Sequence, residues 1–226
     1  MSSPLDQVQT EIQRACEKSG RDIQDVRLIA VSKTWPAEKL NPLIDQGQLA
    51  FGENKLQELE VKAPALPSRL EWHFIGGLQR NKVRKILQHA SVIHSVDSVK
   101  LLNAIDRIAG EEGKRPEIFL QANLEEEASK GGFRPSEISS VVEHAKSLEN
   151  IDPIGLMSIP KFYDNPEDVR PAFRHLRQLR DTIAEETGHF LPNLSMGMSH
   201  DYPIAIEEGA THIRVGSALF GARQAK

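Results

Sequence analysis

The chain has 226 residues and a single cysteine, Cys16, so no internal disulfide can form. No apolar run approaches the length needed to span a bilayer. The opening residues, Met1 to Asp6, lack the basic and apolar regions of a signal peptide. No strong excess of charge exists either. The net charge of -4 gives no general attraction to nucleic acid or to an anionic membrane. The histidines are scattered, with no pair at metal-ligand spacing. A Gly-x-Ser-x-Gly elbow and a Walker-type loop are both missing.

What is present suits a globular protein: 39% hydrophobic and 27% charged residues, in a chain long enough for one large core or two small ones. The expectation is a cytoplasmic monomer with no nucleic-acid or membrane partner. Cys16 falls in a helical pattern and reads as a packing or surface residue.

The pattern along the chain is a strict alternation. Strand-like segments are expected at Val26–Lys33, Leu49–Glu53, Trp72–Gly77, Val92–Asp97, Glu117–Asn123, Ile154–Ile159, Leu194–Met198 and His212–Gly221. Helical patterns lie between them, from Leu40, Leu43 and Ile44 up to the long helix with Val169, Phe173, Leu176, Leu179 and Ile183. Asn54, Ser98 and Asp201 stand where helix caps are expected. No linker divides the chain. Eight strands with helical crossovers predict a single (β/α)8 TIM barrel over residues 1–226. A doubly wound open sheet is the fallback, but it does not need eight repeats. An extra N-terminal helix, with Leu5, Val8, Ile12 and Ala15 on one face, is expected to cover the gap after the last strand.

In such a barrel the active site lies at the C-terminal ends of the strands. The first strand runs into Lys33 and is stopped by Pro36. A partly desolvated lysine there has a lowered pKa, and its neutral amine can attack an aldehyde to form an imine. A solvated strand-end lysine is the ordinary alternative. The loops after strands 7 and 8 are the recurrent phosphate site of these barrels. Here they carry Ser195-Met196-Gly197-Met198-Ser199 and Arg214-Val215-Gly216-Ser217. Glycine and serine are also common in turns. An imine-forming lysine facing a phosphate site suits pyridoxal 5'-phosphate (PLP), and equally a sugar-phosphate aldolase.

Several blocks resemble the PLP homeostasis proteins, also called the proline synthetase co-transcribed homologue family. They are Ala30-Val31-Ser32-Lys33-Thr34, Phe51-Gly52-Glu53-Asn54, Trp72-His73-Phe74-Ile75-Gly76, Leu78-Gln79-x-Asn81-Lys82, His94-Ser95-Val96-Asp97, Gly155-Leu156-Met157, Leu194 to Ser199, and Arg214-Val215-Gly216-Ser217-x-x-Phe220-Gly221. They run in family order across nearly the whole chain. The resemblance implies a barrel like the N-terminal domain of alanine racemase, with PLP held as an imine on Lys33. It places Ser195, Ser199, Gly216 and Ser217 around the phosphate and Arg214 near the pyridine nitrogen. Asn54 and Met157 are implied to line the ring site. His73, Gln79, Asn81 and Lys82 match a family block without an assignable role, and helix capping and a solvated face is the reading preferred for them. Ser158, His200 and Tyr202-Pro203 depart from the family pattern.

The implied function is intracellular PLP homeostasis: cofactor storage, buffering or delivery, with PLP-dependent apoenzymes as possible recipients. The alternative is a PLP-dependent amino-acid racemase or lyase. A racemase of this fold needs a second acid/base, normally a tyrosine, and the chain has only Tyr163 and Tyr202, neither in a matching context. Little turnover is therefore expected. An aldolase lysine usually sits on a later strand than Lys33.

Overall fold

The computed structural model describes residues 2–125 and 131–221. Eight strands form a closed barrel in sequence order. They are β1 (Arg27–Val31), β2 (Ala50–Glu53), β3 (Glu71–Phe74), β4 (Val92–Val96), β5 (Glu117–Gln121), β6 (Asp152–Met157), β7 (Asn193–Met198) and β8 (His212–Val215). Every neighbouring pair is parallel, and β8 closes on β1 through the register Arg27↔His212 to Ala30↔Val215. Parallel strands need crossovers. Those among the described residues include α2 (Asn41–Asp45), α3 (Leu56–Ala65), α4 (Val83–Leu87), α5 (Val99–Glu111), α6 (Pro135–Ser147), α7 (Arg170–Thr187) and α8 (Tyr202–Glu207). No described helix is long and apolar enough to cross a membrane.

The alternation of side chains divides the core in two. Outward residues such as Ala30, Phe51, Trp72, Ile93 and Leu156 pack with the helices in one large apolar cluster. Inward residues meet across the barrel axis: Val92, Phe119 and Met157 form a small separate cluster. Each large side chain so buried contributes about 1.5–3 kcal/mol.

The N-terminal helix α1 (Pro4–Ser19) starts at a capping box of Ser3 and Asp6 and ends at left-handed Gly20. Its buried stripe of Leu5, Val8, Ile12, Ala15 and Cys16 packs on α8 and on α9 (Ser217–Phe220). It seals the barrel beside the β8–β1 junction, as the apolar spacing predicts.

Two sequence expectations need correction, and a third is met in part. The last strand ends at Val215, and Ser217–Phe220 is a helical turn. Asn54 does not cap α3; Lys55 holds that position without a side-chain bond. Asp201 does stand at the N-cap of α8, as expected, but its carboxylate accepts the Met198 N–H at 2.6 Å, which tightens the preceding loop, and makes no cap bond.

Candidate functional site: a lysine-floored cavity at the strand ends

A cavity of about 580 Å³ opens at the C-terminal ends of the strands. It brings together Lys33, Asn54, Ser199, Arg214, Gly216 and Ser217, with Trp35, Ile159 and Met198 in its walls. Trp35 stacks on Phe220 at 6.1 Å between ring centroids.

Lys33 sits on the loop after β1, between two anchored residues. Before it, the Ser32 hydroxyl donates to Glu53 Oε1 at 2.6 Å, and the Ser32 carbonyl accepts from Lys62 Nζ at 2.8 Å. After it, the Thr34 N–H donates to Glu58 Oε2 at 2.6 Å. Thr34 has φ +73°, the sole left-handed non-glycine among the described residues, a conformation that costs about 1–3 kcal/mol. Lys62, on α3, ties the two anchors together through Glu53 (2.6 Å) and Glu58 (3.1 Å). Glu53 and Lys62 are both buried, behind the barrel wall rather than in the cavity. Burial pushes the Glu53 carboxyl above its ordinary range, against the pull of Lys62 and Ser32. Burial also acts to raise Glu58, but the Thr34 N–H and Lys62 outweigh it and hold Glu58 low.

The far side of the cavity is rich in donors. Ser199 Oγ accepts the N–H groups of Gly216 (3.0 Å) and Ala218 (3.4 Å), which draws the loops after β7 and β8 together. Gly197, at φ +91°, lets α8 pack closely on the end of β7: a Cβ there would lie 2.5 Å from the Ala205 methyl. Arg214 is buried beneath the cavity, donating to Ser195 Oγ (2.5 Å) and to the Ser158 carbonyl (3.0 Å). Burial lowers its pKa to about 10, with the Asp201 charge opposing, so it remains a cation at neutral pH.

Two residues expected at the site lie outside the cavity lining. Ser195 is fully buried, its hydroxyl engaged by Arg214 and by His94 Nδ1 at 2.8 Å, and so it faces the barrel interior. Met157 packs against Val92 and Phe119 inside the barrel. His73 is not a solvated residue: it is fully buried among barrel-interior rings, 5.1 Å from the His94 ring and 6.4 Å from the His212 ring. Gln79 and Asn81 are exposed, and Lys82 is half-buried; none of the three lines the cavity. Despite this clustering of histidines, no group of three or more metal-ligating side chains among the described residues could hold a metal.

The chain matches the family model for the alanine racemase N-terminal domain over residues 4–224. It is 43% identical to the pyridoxal phosphate homeostasis protein of Aquifex aeolicus, covering 97% of both chains. It is 38% identical to the protein of that name from Bos taurus, covering 96% of this chain and 85% of that one. The chain belongs to the pyridoxal phosphate homeostasis protein family. A solved family structure, PipY of Synechococcus elongatus with PLP bound, matches with TM-score 0.82 and 37% identity over 93% of this chain and all of that one. Alanine racemase of Clostridium difficile, at 15% identity, TM-score 0.74 and 58% coverage of that chain, shares the fold. The family barrel therefore comes here with a lysine, a buried arginine and a serine-glycine cradle around one cavity.

The residues fit PLP on their own chemistry. Asn54 Oδ1 is buried with no hydrogen-bond partner among the described residues, an acceptor left for a donor that enters the cavity. The Gly216 and Ala218 amides are taken up by Ser199 Oγ, which leaves the Ser199 and Ser217 hydroxyls as donors for a phosphate. The sequence reading does not single out Glu58 and Lys62, the supports of the lysine; they pair i,i+4 on α3, and Lys62 is only 4% exposed.

Proposed function

We propose that this chain binds PLP covalently through Lys33 and serves in PLP homeostasis, storing, buffering or delivering the cofactor. The observation that carries this reading is the convergence of Lys33, Arg214 and the Ser199–Gly216–Ser217 cradle on one cavity. PLP supplies an aldehyde for an amine and an electron-withdrawing ring. Lys33 offers the amine, held between the Ser32 and Thr34 anchors. Ser199, Gly216 and Ser217 hold the phosphate. Asn54 faces the ring. Arg214 approaches the pyridine nitrogen and disfavours its protonation, since a second positive charge beside a guanidinium is costly. That makes the ring a weak electron sink and favours holding over turnover.

The racemase or lyase alternative finds no tyrosine in the cavity lining, which holds His200 beside Lys33 and Arg214. Tyr202 is buried, which raises its pKa to about 12, and neither it nor Tyr163 lines the cavity. In this reading the whole chain acts as one PLP-binding unit, a cytoplasmic monomer whose recipients are PLP-dependent apoenzymes.

PLP titration tests the proposal. Saturation is expected to give a visible absorbance band distinct from free PLP, and to raise the melting temperature by mass action. The gain is about 2.7 kcal/mol at a hundredfold excess over Kd. A protein left uncoloured and unstabilised by saturating PLP overturns the reading.

A further inference from the structure

Arg214 stands at one end of a series of polar contacts that runs down the inside of the barrel. Arg214 Nη1 donates to Ser195 Oγ, and Ser195 Oγ lies 2.8 Å from His94 Nδ1. His94 Nε2 lies 2.8 Å from His73 Nδ1. His73 Nε2 stands 2.9 Å from Glu71 Oε1, at an angle short of a hydrogen bond. Glu71 lies on the opposite face of the barrel from the cavity, at the start of β3, where Arg27 pairs with it. The line thus joins a buried cation under the cavity to a carboxylate at the barrel's other mouth.

Each histidine nitrogen can be a donor or an acceptor, and the two ends of the line decide which. A guanidinium only donates. Ser195 Oγ therefore accepts from Arg214, and its own proton is free to go to His94 Nδ1. His94 Nδ1 is then bare, and its Nε2 carries the proton toward His73 Nδ1. His73 in turn carries its proton on Nε2, facing Glu71. The other end demands the same direction. A bare Nε2 at 2.9 Å from a carboxylate would set lone pair against lone pair. Reversing the line would also strand the serine proton. Burial, together with the neighbouring His73, His212, Arg214 and Arg27, pulls His94 well below its ordinary value. Burial likewise lowers His73, against Glu71. Both rings are therefore neutral single-proton links. Burial acts to raise Glu71, but His73 and Arg27 together outweigh it and hold the carboxyl below its ordinary range, so it is ionised.

We infer that Ser195, His94 and His73 are positioning residues for Arg214, joined in a one-way hydrogen-bond line that starts at its guanidinium and is oriented at its far end by Glu71. Both histidines carry their proton on Nε2. The line fixes one edge of the guanidinium, and the Ser158 carbonyl fixes the other. Arg214 can then present its charge to the cavity in a single orientation, held by a hydroxyl and a carbonyl, with Asp201 acting on it through its charge. The consequence for cofactor binding rests on the PLP reading above; the proton placement does not.

The test is heteronuclear NMR on the isotope-labelled full chain without PLP. At pH 7, His73 and His94 are expected as neutral Nε2–H tautomers, and the two Nη groups of Arg214 as separate signals in slow rotation. The Ser195→Ala variant is expected to merge the Nη signals. In PLP titration it is expected to bind about tenfold more weakly, the loss of one hydrogen bond to a charged group. An Nδ1–H tautomer or an imidazolium at either histidine overturns the inference. So do Nη signals that Ser195→Ala leaves unchanged. If wild-type protein binds no PLP while both tautomers are as stated, the functional reading falls and the line stands. If wild-type and Ser195→Ala proteins bind PLP equally, the positioning role falls and the functional reading stands.

Discussion

Two buried polar networks lie on opposite faces of the same sheet, and they are built by different rules. Outside the barrel, between β1, β2 and α3, Lys62 and Glu53 form an ion pair with both partners shielded from water. Inside it, Ser195, His94 and His73 link to one another as neutral groups, with charge only at the two ends. Each network supports one residue of the cavity: the outer one Lys33, the inner one Arg214. Burying charge is expensive unless it is paired, whereas neutral imidazoles need only hydrogen bonds. The outer network therefore concentrates its dependence on a single cation, and the inner one spreads it along a chain.

The largest effect expected from breaking this contrast is at Lys62. Lys62→Met leaves Glu53 buried without its cation, and Glu53 Oε2 already has no hydrogen-bond partner among the described residues. A loss of about 3–5 kcal/mol in urea unfolding is expected. Adding Glu53→Met to Lys62→Met should recover much of that loss, because no uncompensated charge remains. A loss below about 1 kcal/mol for the single variant would show that the pair carries no such burden.

The inner network should respond less. Ser195→Ala removes one neutral link and is expected to cost about 1–3 kcal/mol in the same experiment. Equal losses for Lys62→Met and Ser195→Ala would erase the distinction between the two networks.

Acid sharpens the comparison. His73, His94 and His212 are all held below the ordinary histidine value, chiefly by burial, His212 at about 3. The unfolded chain then binds protons that the folded one does not, so stability falls as pH drops below about 6.5. Each such group contributes a slope of up to about 1.4 kcal/mol per pH unit until its folded pKa is reached. Glu53, raised by burial, acts oppositely: its contribution is present at low pH and is lost as pH rises through its folded pKa. Melting temperature followed from pH 7 to 5 should decline, and His212→Asn should flatten the decline. An unchanged slope in that variant would contradict the assignment.

The smallest effect is expected at Ser158. Its hydroxyl is buried without a hydrogen-bond partner among the described residues, while its carbonyl receives Arg214. Ser158→Ala keeps the carbonyl and removes the orphan group. It should stabilise the chain by about 1 kcal/mol or less, read as a rise in the urea midpoint.

The barrel itself is legible in the sequence, because the outward strand residues and the helix stripes follow simple periods. Leu5, Val8, Ile12 and Ala15 announce α1, and Ser98 caps α5 through the Leu101 N–H as read. The cavity is legible as far as Lys33 and the serine-glycine loops, since these sit at strand ends. What one dimension hides is the inside of the barrel. His73, His94 and His212 are distant in sequence and come together only because β3, β4 and β8 enclose the same axis. Ser195 reads as a loop hydroxyl beside a phosphate, but the inward face of β7 turns it toward His94. Nothing in the sequence pairs Glu53 with Lys62; α3 lays one over the other.

Covalent anchoring of PLP by Lys33, as proposed above, is tested most directly by borohydride reduction of the PLP-treated protein, followed by peptide mass mapping. The expected result is a pyridoxyl mass on the Lys33 peptide and none on the same peptide of Lys33→Ala. A modified lysine elsewhere, or no modified lysine in a protein that has bound PLP, would contradict it.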